Sequence, residues 1–296
     1  MRTNCLILLF ITGIVASCSP KKEEPASIPA SIVLRINSDI QQYTGTFTPL
    51  PEKTEIGLFI VSAKQAPSSA LTAYYNLKFT AGSDGQLHSE NPAKLTENES
   101  YTIYAYAPFQ EETDNPESIH FTHGTDVLGC MIPAEIKNAD VTHYTGTLEF
   151  THRTAQIRFI VKITDEESLE ELAATSVLKA TGFLPEGRLN ISNGSLTGEG
   201  EPSEATSVKA AAMDNEINGK YTLESKATCF FLRPDTAQTI QLRVTHRGVI
   251  HTGSITQLFQ PGESYIYTIY VGRKPELTLK ATLTPWINVN ETIEFN

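Results

Sequence analysis

Seven histidines, four cysteines and 34 carboxylates supply the groups that catalysis or metal binding needs. Their spacing decides whether any could act together. His120-Phe121-Thr122-His123, with Asp126, is the nearest thing to a metal cluster. On a strand, positions i and i+3 point to opposite faces, so the two imidazoles would not share an ion, and a surface loop is expected. Asp214, Glu216, Asn218 and Gly219 imitate the start of a calcium loop, but Ser225 stands where the bidentate glutamate belongs. Asn218-Gly219 reads instead as a hairpin turn. Glu170 and Glu171 are neighbours on a predicted helix and do not face each other, which makes a poor acid–base pair. Gly194-Ser195-Leu196-Thr197-Gly198 has its serine one place early for a nucleophile elbow. A phosphate-binding glycine loop with lysine and a His-Glu-x-x-His pair are both missing. The expectation is no catalytic residue, no metal, no cofactor and no enzymatic activity.

One cysteine is placed for a different chemistry. Met1-Arg2-Thr3-Asn4 is a short basic start, followed by an apolar run over residues 5–15 and the close Val15-Ala16-Ser17-Cys18. That run is too short for a bilayer core of about 30 Å, which takes roughly 20 residues. It reads as a signal peptide. Aliphatic, small, small, Cys is the bacterial lipobox, so cleavage is expected before Cys18, with lipid on its thiol. More than one acyl chain then holds the protein stably on a membrane. Ser19-Pro20-Lys21-Lys22-Glu23-Glu24-Pro25 has the polar, Pro-bounded composition of a tether. Cys130 and Cys229 are the other mature thiols; two separate buried thiols are expected rather than a bridge between the halves of the chain.

The elements that would carry these residues read as strands. Hydrophobic residues make up 40% and charged residues 19%, with thirteen Phe and eleven Tyr, enough for a sizeable core and too apolar for wholesale disorder. A net charge of −11 repels phosphate backbones, so nucleic acid is not an expected partner. Strand patterns fall at residues 32–36, 55–61, 101–106, 147–150, 156–162, 240–244 and 265–271. Turn signals lie between them at Ser83-Asp84-Gly85, Pro185-Glu186-Gly187, Asn193-Gly194, Asn218-Gly219 and Pro261-Gly262. One short helix is expected over 165–174, with Asp165 as its cap and Leu169 and Leu172 on one face. Asn98-Glu99-Ser100-Tyr101 and Gly262-Glu263-Ser264-Tyr265 echo each other ahead of aromatic strands, suggesting a related strand in each of two domains. The fold class is therefore all-β, divided into signal peptide (1–17), tether (18–28), N-terminal β-sandwich (29–144) and C-terminal β-sandwich (145–296). Trp286, the single tryptophan, is expected to plug the core near the last strands.

Several stretches resemble the fimbrillin family, the type V pilin superfamily of Bacteroidales-type bacteria. They are the lipobox, Glu55-Ile56-Gly57-Leu58-Phe59, Tyr104-Ala105-Tyr106-Ala107-Pro108-Phe109, Asp126-Val127-Leu128-Gly129, Leu148-Glu149-Phe150-Thr151-His152-Arg153-Thr154-Ala155, Phe259-Gln260-Pro261-Gly262-Glu263-Ser264-Tyr265 and Pro285-Trp286. The chain departs from the family's usual pattern at Gly129-Cys130 and at Glu263. The resemblance implies two transthyretin-like β-sandwiches in tandem and a structural role in fimbriae or surface adhesion. Implied partners are other fimbrial subunits, the outer membrane through lipid on Cys18, and a host or bacterial surface receptor.

The resemblance also implies a mechanism. A trypsin-like protease removes the first strand, here about residues 28–36, and a neighbour's C-terminal strand fills the groove. The donor would lie in 277–295, where 278–283 and 291–295 have strand character. Arg35 and Lys53 are the candidate cleavage residues. Asp235-Thr236-Ala237 matches a short pattern that is O-glycosylated in such bacteria, on Thr236. The competing reading is a surface lipoprotein that binds glycan without polymerising.

Overall fold

The computed structural model describes residues 31–41, 47–62, 72–91, 93–96, 100–113, 115–135, 143–163, 169–202, 206–217, 220–271 and 277–285. The signal peptide, Cys18, the tether, the expected helix cap at Asp165, Asn218-Gly219, Trp286 and residues 291–295 lie outside them. The first half forms β1 (Ser31–Gln41), β2 (Phe47–Pro49), β3 (Glu55–Ser62), β4 (Thr72–Ala81), β5 (Gln86–His88), β6 (Lys94–Thr96), β7 (Ser100–Ala107), β8 (Ile119–Thr122), β9 (Leu128–Glu135) and β10 (His143–His152). The second half opens with β11 (Ala155–Ile163), α1 (Leu169–Thr175), β12 (Ser176–Thr181), β13 (Glu186–Asn190), β14 (Ser195–Glu199) and β15 (Val208–Ile217). It closes with β16 (Lys220–Ser225), β17 (Thr228–Phe230), β18 (Gln238–His246), β19 (Val249–Gln257), β20 (Glu263–Val271) and β21 (Leu277–Pro285). The fold is the all-β class the sequence predicts, with one short helix. Among the described residues no helix is long and apolar enough to cross a membrane.

Period-two alternation builds most of these strands. In β11, Ala155, Ile157, Phe159, Val161 and Ile163 are buried while the residues between them are half-exposed. β18 alternates in the same way. β3 does not alternate, because it is buried on both faces. Ile56, Leu58 and Ile60 enter the core of the first half, and Phe59 and Val61 enter a separate core. β7 divides likewise, with Ile103 and Ala105 on one side and Tyr104 and Tyr106 on the other. Each large apolar side chain so buried is worth about 1.5–3 kcal/mol.

Two nine-stranded sheets result. The first runs β10-β9-β7-β3-β4-β5-β1-β2, and β1 also pairs with β10, which closes the ladder on itself. The second runs β19-β18-β12-β15-β16-β11-β20-β21 and stays open. Each holds one parallel pair: β1 with β10, and β11 with β20. The counterpart of β20 is therefore β10. β7 has antiparallel neighbours on both sides, so the echo at residues 98–101 and 262–265 does not mark equivalent strands. β10 starts at the expected boundary of 144/145 and takes all its partners from the first sheet, so the sheets change at Arg153-Thr154.

A third sheet, β14-β13-β8, is drawn from both halves. Ile119, His120, Phe121 and Thr122 pair with Leu189, Arg188, Gly187 and Glu186. It covers the core that β3 and β7 present on their outer faces, adding Ile119, Phe121 and Leu189, and Leu184 and Phe231 join them from outside the sheet. Two sequence expectations change here. His120 and its neighbours form a strand and not a surface loop, and Glu186-Gly187 lie in a strand and not in a turn. Gly187 serves close packing: a Cβ there would stand 2.5 Å from the Phe231 ring. The helix begins at Leu169, and Leu172 is its buried contact.

Candidate functional site

The first strand is held on both sides. Val33 to Ile40 run parallel to His143 to Phe150, and the opposite edge of β1 pairs in turn with β6, β5 and β2. Arg35 pairs with Thr145 in the middle of this ladder. Lys53 follows β2 in an exposed turn with φ of 69°. Its backbone N–H donates to the carbonyl of Ala81 at 2.8 Å. A positive φ lies outside the extended region in which a protease takes its substrate, so cleavage at either residue requires the local pairing to open first. Thr236 is exposed in a turn after Asp235, and its hydroxyl donates to the Pro234 carbonyl at 3.0 Å. The three candidate residues are not brought together.

Among the described residues the reactive side chains form no nucleophilic centre. Asp126 gathers His152 at 2.9 Å and Thr154 at 3.2 Å. Cys229 is near both Asp126 and Thr154, but burial pushes its thiol up to about 12, and the Asp126 charge pushes the same way. Cys130 is likewise buried and pushed up to about 12. Both cysteines are free. Thiols in such apolar surroundings stay protonated and unreactive at neutral pH. His120 lies 3.3 Å from Glu186 at the surface, and His123 packs against Phe183 with its own pKa lowered by burial. Among the described residues no group of three or more metal-ligating side chains occurs.

Arg153 stands apart. It follows β10, and its backbone N–H donates to the Val127 carbonyl at 2.7 Å. Its side chain threads between two glycines: a Cβ at Gly129 would come within 2.9 Å of Nε, and one at Gly194 within 3.0 Å of Nη2. Nη2 has one long bond, 3.4 Å, to the Gly129 carbonyl. Nε is buried and without a partner. Burial lowers the pKa of the guanidinium. None of the ion pairs among the described residues includes Arg153. Beside it opens a cavity of about 260 Å³, whose lining includes Met131, Glu149, Thr151, Ser192 and Asn193. A larger hollow of about 830 Å³ lies over β4 and β5, but its cation, Lys78, is already paired with Glu55 at 2.7 Å. Sequence reasoning passed over Arg153, because only its place in the motif at 148–155 singled it out.

The profile of fimbrillin-like proteins matches residues 44–286. The chain belongs to the fimbrillin-like family. Among curated proteins there is no match. Among solved structures, this fimbrillin-like chain is similar to a candidate cell adhesion protein of Bacteroides ovatus, at 16% identity and a TM-score of 0.67. That likeness covers 88% of this chain and all of the other. A candidate cell adhesion protein of Bacteroides uniformis is similar at 14% identity and TM-score 0.62, over 87% of this chain and all of the other. A candidate polysaccharide-binding protein of Bacteroides thetaiotaomicron is similar at 9% identity and TM-score 0.53, over 88% and 98% of the two chains. At these identities the likeness establishes the shared fold.

Proposed function

We infer that this fimbrillin-like chain is a structural subunit of adhesive fimbriae, carried to the cell surface as a lipoprotein through Cys18. The observation that carries the reading is the family match over residues 44–286.

Assembly by strand exchange is the mechanism proposed, and the position of β1 supports it. Loss of β1 would strip β10 of a partner over eight positions and leave β5 and β6 with open edges. Unpaired strand edges recruit another strand. A cut at Lys53 would free β1 and β2 together, whereas a cut at Arg35 would divide β1. If β21 is the donor, it must first give up its nine pairs with β20. Glycosylation of Thr236 is compatible with its exposed turn.

The test is the mature N-terminus on intact cells, read by mass spectrometry, together with the migration of the protein in detergent gels. A new N-terminus at Ile36 or Thr54 with a ladder of detergent-resistant oligomers is expected for a polymerising subunit. Acylated Cys18 within a ladder assigns the anchor position. Acylated Cys18 with monomer alone overturns the subunit reading in favour of a solitary surface lipoprotein.

A further inference from the structure

Arg153 is a half-buried cation with no ion-pair partner among the described residues. Desolvating a guanidinium costs several kcal/mol unless an anion or a full set of acceptors compensates. Arg153 has one long backbone bond and an orphaned Nε, yet it is clamped between Gly129 and Gly194, where a side chain on either glycine would collide with it. The guanidinium is thus held in place; Nε is closed off from solvent, and the Nη donors are left to face the cavity of about 260 Å³ that lies against it. Planar, fixed guanidinium donors match a carboxylate in bidentate fashion.

We propose that this cavity binds an acidic sugar, with the sugar carboxylate on Arg153 and its hydroxyls on the polar rim. The rim is suited to hydroxyl recognition. Asn193 Oδ1 already accepts from the Ser195 N–H at 2.8 Å, which leaves its amide hydrogens for a ligand. Ser192 donates to Asn190 Oδ1, which leaves its lone pairs to accept. Thr151 makes only a long bond, 3.4 Å, to the Gly129 carbonyl. Glu149 completes the wall as an acceptor. Its negative charge on the cavity wall repels a phosphate dianion more than a monoanion. The exposed Met131 adds apolar surface for the C–H face of a pyranose ring. The proposal rests on the adhesive reading for its biological use, though not for its chemistry.

The experiment is a titration of the purified full mature protein, followed by NMR, with sodium glucuronate, sodium N-acetylneuraminate, glucose, acetate and inorganic phosphate. A free monosaccharide is expected to bind one of the two acidic forms with a Kd on the order of millimolar. Glucose and acetate each hold half of the recognised groups and are expected to bind at least about tenfold more weakly. Arg153→Gln removes the cation and is expected to abolish binding. Because Arg153 is packed, Met131→Glu provides a second variant: it places a like charge at the cavity mouth on a residue 57% exposed. Met131→Glu is expected to weaken binding about tenfold without changing the melting temperature. The proposal is overturned if the folded protein ignores both acidic sugars, if acetate, glucose or phosphate binds as well as they do, or if binding survives in Met131→Glu. Oligomer ladders on cells expressing Met131→Glu are expected to match the wild type, so a failure of polymerisation and a failure of sugar binding are read separately.

Discussion

Asp126 Oδ1 stands 2.9 Å from Nδ1 of His152, and the same oxygen accepts from the Thr154 hydroxyl at 3.2 Å. The carboxylate comes from the loop between β8 and β9, and its two partners come from the end of β10 and the start of the second half. A carboxylate only accepts, so Nδ1 of His152 carries the proton. One oxygen thereby fixes the turn at which the chain passes from the first sheet to the second.

Asp126→Ala is expected to destabilise the protein by about 1–3 kcal/mol, since it removes the acceptor that His152 and Thr154 share. Asp126→Asn, which retains an acceptor, is expected to cost less. Urea unfolding of the two variants beside wild type checks both the direction and the order.

Gly57 and Tyr106 form a second sensitive pair. A Cβ at position 57 would stand 2.2 Å from the Tyr106 ring. The Tyr106 hydroxyl donates to Asn76 Oδ1 at 2.8 Å and accepts from the Gln110 N–H at 3.2 Å. Gly57→Ala is expected to cost about 1–3 kcal/mol through overpacking. Tyr106→Phe is expected to cost about as much through unpaired polar groups. Gly57→Ala combined with Tyr106→Leu should cost less than the sum of its parts, which a double-mutant cycle on thermal stability measures.

The thiols set an alkaline limit. Cys130 and Cys229 are raised from 9.0 to about 12 in the folded chain. Well below pH 9 they are protonated folded and unfolded alike, and contribute no pH dependence. Between pH 9 and 12 the unfolded chain releases these protons while the folded one keeps them, so stability falls as pH rises. Tyr265 and Tyr267, also raised by burial, add to the fall above their ordinary range. Replacing both cysteines by alanine is expected to flatten the pH 9–11 part of a denaturation series. Native protein should react with a thiol reagent at neutral pH only after unfolding.

A chain beginning at Thr54 lacks β1 and β2 and is expected to self-associate or aggregate. Adding a synthetic peptide of residues 31–41 in trans should restore a monomer if the vacated ladder is the cause. Size-exclusion chromatography with light scattering distinguishes the two states.

What was legible in the sequence followed from local pattern. β11 and β18 alternate cleanly because one face is core and the other is not. β3 and β7 were legible as strands, but the reason for their double-sided apolarity was not, since it depends on the third sheet packing over them. β8 escaped because four residues, one of them a histidine, carry too little pattern to outweigh a loop reading. Gly187 looked like punctuation, when it is a gap for the Phe231 ring. Arg153 was visible as a residue but not as a site. The two glycines that grip its side chain, Gly129 and Gly194, are 24 and 41 positions away in the chain, and only the fold brings them to it and leaves its Nε unpartnered.

The sheet shared by β8, β13 and β14 has a mechanical meaning. A fibre on a cell surface is pulled by flow, and tension enters a subunit at one end and leaves at the other. Here the load cannot open a hinge between two beads on a string. It must shear four cross-strand pairs and tear apart a buried aromatic cluster at the same time. In the fibre proposed above, such a subunit would transmit force as one stiff segment, and the give would come from the joints between subunits.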